Sequence, residues 1–177
     1  MINQCKLFDD MRIVWLKHVW WTREVILAIA AGAPWTADSV AKLLENPHEM
    51  ADVFAPFITP AQKQQMTDLF VTHLKLGGAV VTAAKNKEID KLNDLQKQWH
   101  ENADQIARFM ADLGLGYVYE EVKQMMYSHL RLTTHEAVFV LEGKFAQSIT
   151  EFERVQNEAL MMADYFTNGI RKTKLSS

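Results

Sequence analysis

Thr59-Pro60-Ala61-Gln62-Lys63-Gln64-Gln65-Met66-Thr67-Asp68-Leu69-Phe70-Val71-Thr72-His73-Leu74-Lys75-Leu76-Gly77-Gly78-Ala79-Val80-Val81-Thr82-Ala83-Ala84 reads as one helix from its first residue to its last. Thr59 is a capping residue, Pro60 suits the first helical position, and Gln62 completes a capping box with Thr59. Behind that start, Met66, Phe70, His73, Gly77, Val80 and Ala84 step by four and three. That is the inward stripe of a helix packed in a bundle, and it carries a histidine in its middle.

The same pattern recurs on both sides. Met11, Trp15, His18, Thr22, Val25 and Ile29 form one stripe, and Val122, Met126, His129, Thr133, Glu136 and Val140 another. Strand-like alternation is missing, so the chain reads as all-α. Six helices are expected, over about 7–31, 36–54 (broken at Pro47), 60–84, 88–113, 117–142 and 145–168, with Gly32, Gly143 and Gly169 ending three of them. Short joints between the last four predict antiparallel neighbours in an up-and-down bundle, arranged as three repeated hairpins or as four long helices wrapped by the first two. The 177 residues, 49% of them apolar, fit one domain with a sizeable core, and no composition shift divides 1–177.

Composition removes several functions. Lys plus Arg is 19 against 22 Asp plus Glu, a net charge of −3, which speaks against a general nucleic-acid binder. The single cysteine, Cys5, excludes an intrachain disulfide and a cysteine-rich metal site. The longest uncharged apolar run, 25–35, is short of the ~20 residues a membrane span needs, so no membrane partner is expected. The N-terminus has no basic start before an apolar run, Lys172 and Lys174 read as a solvated tail, and the expected address is the cytoplasm. No glycine-rich phosphate loop, no metalloprotease motif around His135-Glu136 and no Glu-x-x-His pair of the di-iron type is present on the stripes.

The candidate chemistry lies in the repeat. His18, His73 and His129 are separated by 55 and 56 residues, and each lies 11 or 12 residues past its helix start, about 17 Å along the axis. If the three helices run parallel, the imidazoles share one level, with Thr22, Gly77 and Thr133 leaving room one turn on. The partner helices each carry Ala-Asp, at Asp52, Asp104 and Asp164, which lie 34, 31 and 35 residues beyond the histidines. Two readings follow. Each histidine donates to the Asp of its own hairpin in a structural polar layer, or the layer holds a divalent transition metal (iron, manganese or zinc), with Asp as ligand or ring-orienting partner. Glu136 is the best extra acid, although about 10 Å from His129 along the helix. His48 and His135 read as surface residues, and His100, Asp104 and Arg108 also form a ladder that suits a solvated face. A non-catalytic interaction or small-ligand-binding bundle is the runner-up, with Trp20, which lies off the stripe, as a homo-oligomer contact.

The strings Trp15-x-x-His18-Val19-x-Trp21-Thr22-Arg23, Asn102-Ala103-Asp104-x-Ile106-Ala107-x-Phe109 and His129-Leu130-x-Leu132-Thr133-Thr134-x-Glu136-Ala137 resemble a bacterial family of small all-helical proteins without a settled activity. Some members bear the label acetylglutamate kinase, which implies an α/β fold and a phosphate loop that this sequence does not supply. The resemblance implies a bacterial cytoplasmic bundle and no mechanism, and in that family the position matching Asp52 is often Asn.

Overall fold

Helix boundaries follow the local chemistry at most of the expected joints. In the computed structural model, which describes residues 4–175, the helices are α1 (Gln4–Ala31), α2 (Thr36–Leu43), α3 (Asn46–Phe54), α4 (Pro60–Lys85), α5 (Ile89–Asp112), α6 (Tyr119–Leu141) and α7 (Phe145–Lys174). A 3-10 turn at Ala55–Phe57 follows α3, and the described residues contain no strand. The sequence readings that touch Met1–Asn3 and the two terminal serines lie outside the described residues.

The start of α4 is as expected. The Thr59 hydroxyl accepts from the Gln62 amide at 3.2 Å, and the Gln62 side chain accepts from the Thr59 amide at 2.8 Å. Gly32 and Gly143 close α1 and α6 in the left-handed conformation, at φ +64° and +71°. Pro47 stands in the first turn of α3 rather than inside a longer helix, so the expected break falls before it. Three boundaries are corrected: α1 includes residues from Gln4, three residues early, α6 begins at Tyr119, two residues late, and α7 runs straight through Gly169 to Lys174. Gly169 is there for clearance. A Cβ would stand 2.2 Å from a Tyr117 ring carbon and 2.6 Å from the Leu115 carbonyl oxygen.

The long helices pack in chain order, α4 on α5, α5 on α6 and α6 on α7, and α7 closes onto α1. α1 does not wrap the bundle from outside. It also contacts α3, α4 and α6, which makes it a wall of the bundle, while α2 and α3 bridge from α1 to α4. One large core, including Met11, Trp15, Phe70, Met126 and Phe166, fills one end, with the Trp15 and Phe166 rings stacked 5.6 Å apart. Two small clusters, Ile26-Val81-Ala137-Val140 and Val25-Leu43-Leu74, fill the other. The stripe histidines of α1, α4 and α6 meet between these ends.

Candidate functional site: a buried histidine layer

All three stripe histidines are buried, and they face one another. The His18 and His129 rings are 5.6 Å apart between centroids, and His73 and His129 are 6.4 Å apart. The three rings thus lie together, although they stand 14, 13 and 10 residues past the observed helix starts rather than the expected 11 or 12.

Their partners are not the expected aspartates. Asn46, the first residue of α3, places its side-chain oxygen 3.1 Å from His18 Nδ1 while its NH2 donates to the Val14 carbonyl at 2.9 Å. Asn102 on α5 repeats this, with its oxygen 2.9 Å from His73 Nδ1 and its NH2 donating to the Leu69 carbonyl at 3.2 Å. Val14 and Leu69 each lie four residues, one turn, before their histidine. The carbonyl acceptors fix which way each amide points, because only the NH2 can serve them. The amide oxygen must then face the ring, so Nδ1 carries the proton and Nε2 is left as a bare lone pair. In the third sector Glu158 on α7 takes the amide's place. Its Oε2 is 3.6 Å from His129 Nδ1, beyond hydrogen-bond reach, and both atoms are buried without a hydrogen-bond partner.

Burial is the main force holding the His18 and His73 rings neutral. It pushes His18 down to about 3, helped by His129 and His73 and opposed by the Asn46 hydrogen bond. His73 is also pushed down to about 3, by burial and then by His129, against the Asn102 bond. Its Nε2 is buried without a hydrogen-bond partner.

Beside the rings lies a chamber of about 90 Å³. Thr22, Gly77 and Thr133, the residues one turn past each histidine, line it together with aliphatic side chains from α1, α4 and α6. Thr22 already donates its hydroxyl to the His18 carbonyl at 2.8 Å, whereas the Thr133 hydroxyl is buried and has no partner.

The remaining candidate residues lie elsewhere. Asp52 is exposed and pairs with Lys63 at 2.5 Å. Asp104 is half-buried and pairs with Lys123 of α6 at 3.2 Å, outside the histidine layer and without the expected His100–Arg108 ladder. Asp164 takes two hydrogen bonds of 2.7 Å from Arg12. The cause is helical phase. Ala51, Ala103 and Ala163 are the buried members of the Ala-Asp words, and the next residue turns about 100° away from the core. The residues that do reach the histidines, Asn46, Asn102 and Glu158, stand 56 residues apart from one another and 28 or 29 beyond their histidine. That spacing is a legible signal, masked by the more conspicuous Ala-Asp.

Glu136 is buried on the α6 stripe but is engaged by Arg23 of α1, whose Nη1 donates to it at 2.6 Å. Burial raises its carboxyl to about 7 against the pull of Arg23. His48, His100 and His135 are exposed, as is Trp20, which is 57% accessible and packs its edge on Phe152. Among the described residues no three His, Cys, Asp or Glu side chains are already drawn together as a ligand set, and no helix is long and apolar enough to cross a membrane. The chain matches no protein family, no curated protein and no solved structure.

Proposed function

We propose that the bundle binds one divalent transition metal ion (iron, manganese or zinc) through the Nε2 atoms of His18, His73 and His129. The observation that carries the reading is the pair of amides that hold Nδ1–H on two rings and leave their Nε2 lone pairs bare in a buried layer. Lone pairs of neutral imidazoles gathered in an apolar setting call for a cation or a donor, and outer oxygens on Nδ1 are the usual way a protein orients metal-ligating histidines. Glu158 would supply a negative charge beside His129, partly offsetting that of the ion. Glu136, held by Arg23, is outside this set, as are Asp52, Asp104 and Asp164.

Imidazoles bound through Nε2 at ~2.1 Å to one tetrahedral ion have centroids on the order of 5 Å apart. The His18–His129 pair is near that spacing at 5.6 Å, and the His73–His129 pair, at 6.4 Å, must close by about an ångström. That wider pair favours the second reading, a polar layer that only fixes the packing of α1, α4 and α6. Calorimetric titration of iron(II), manganese, zinc and copper into the apo protein separates the two. The metal reading expects one ion per chain, binding at least 100-fold weaker in His73→Ala, about 10–100-fold weaker in Asn102→Leu, and unchanged in Asp104→Asn. Equal weak binding by wild type and His73→Ala leaves the structural layer alone.

The same proposal sets the protein in the bacterial cytoplasm, in line with its single cysteine and its resemblance to small bacterial helical proteins. Self-association through exposed Trp20 is a separate proposal, tested by light scattering of wild type and Trp20→Ala at high concentration.

A further inference from the structure

We infer that the chamber beside the histidines is a binding site for a small neutral molecule of a few heavy atoms, with an apolar body and one lone-pair atom. The inference rests on the metal reading for its iron arm only. Its first support is a glycine that packing does not explain. Gly77 and Gly78 lie inside α4, where glycine is unfavourable against alanine. Gly77 has a packing reason, since a Cβ there would stand 3.2 Å from the Trp99 ring. Gly78 has none: a Cβ would meet nothing within 4 Å, and Gly78 lines the chamber. The missing side chain keeps space open.

The second support is a set of four buried polar atoms without hydrogen-bond partners on the chamber's residues, Thr133 Oγ1, His73 Nε2, His129 Nδ1 and Trp99 Nε1. Thr133 is 4% exposed and its hydroxyl has no partner, and His73 is 1% exposed with Nε2 unpartnered. A buried hydroxyl left so is costly, and a ligand atom that accepts from it removes that cost. The lining contains no Asp, Glu, Lys or Arg, so nothing on the wall compensates a charged ligand's desolvation. Size is limiting as well. An apolar cavity of ~150 Å³ holds benzene, and this one is about 90 Å³. Partly exposed Leu92 and Gln96 of α5, with exposed Val138, are among its lining residues and give a way in.

Two probes test the site. Xenon, followed by its NMR shift, reads the chamber in the metal-free protein, and nitric oxide on the anaerobic iron(II)-loaded protein, followed by its paramagnetic signal, reads it next to the ion. Saturable xenon binding that weakens at least tenfold in Gly78→Leu and in Ala137→Leu supports the chamber, whether or not iron loads. Thr133→Val keeps the shape and removes the hydroxyl. It should leave xenon binding unchanged while releasing nitric oxide severalfold faster. Xenon that does not saturate in the wild type, or binds both filled variants as well as the wild type, overturns the inference. A nitrosyl unaffected by Thr133→Val overturns the hydroxyl's role. Iron that fails to load in a protein that still takes up xenon counts against the metal reading and for the chamber.

Discussion

An amide and a carboxylate differ by one donor, and that donor decides which residues could partner the histidines. Asn46 and Asn102 each give an N–H to a backbone carbonyl and offer an oxygen to a ring. Aspartate would set a lone pair against the same carbonyl. The histidines were legible because a polar residue on an apolar stripe stands out, and the asparagines were not, because Asn on a helix usually reads as a surface residue. The neutral rings have a consequence for stability. In the metal-free protein His18 and His73 titrate near 3, below the unfolded value of 6.5. The unfolded chain therefore takes up protons first, and stability is complete above about pH 6.5 and lost as pH falls toward 3. Each ring contributes up to about 1.4 kcal/mol per pH unit in that window. Glu136 acts in the opposite sense: its carboxyl is raised from 4.5 to about 7, so the native state holds the extra proton and gains as pH falls between those values. Denaturant melts from pH 7.5 to 4 should show stability falling with acid, and more steeply in Glu136→Gln. A flat profile would show that the rings are not buried neutral.

Helix ends were read well where a glycine needs the left-handed conformation, as at Gly32 and Gly143, and wrongly at Gly169. The difference is long-range. Tyr117, whose hydroxyl donates to the Phe166 carbonyl at 2.8 Å, lays its ring on α7 where Gly169 leaves room, and nothing local to 169 announces it. Two glycine substitutions in helices should thus have opposite signs. Gly78→Ala gains helix propensity in open space and should stabilise by about 0.5–1 kcal/mol. Gly169→Ala places a methyl group against the Tyr117 ring and the Leu115 carbonyl, and should destabilise by about 1–3 kcal/mol. Urea midpoints measured side by side check both. A stabilised Gly169→Ala would mean that the 112–119 joint shifts freely.

Over the whole molecule, the three-four periodicity made the bundle legible, and equal intervals made the shared histidine level legible. The closure of α7 on α1 was not, since a contact between chain ends leaves no trace in local spacing. That closure is tied by Arg23, which donates to Glu136 of α6 and to the Ser148 carbonyl of α7 at 3.4 Å, and lies 4.8 Å from the Phe152 ring centre. Removing only the cation strands a carboxylate that is 1% exposed. Arg23→Ala should therefore cost about 3–5 kcal/mol at pH 8, and Arg23→Met with Glu136→Leu should recover most of it. Equal losses in the single and double variants would show that packing, not charge, holds α1 in place.

Rings that are already bare would change the terms on which the proposed ion could enter. An ordinary histidine site exchanges protons for its metal below neutral pH, so acid competes with the ion and drives it out. Here two of the three imidazoles hold no exchangeable proton on Nε2 until the solution approaches pH 3. Uptake of the proposed ion at these two rings would therefore release few protons into the buffer.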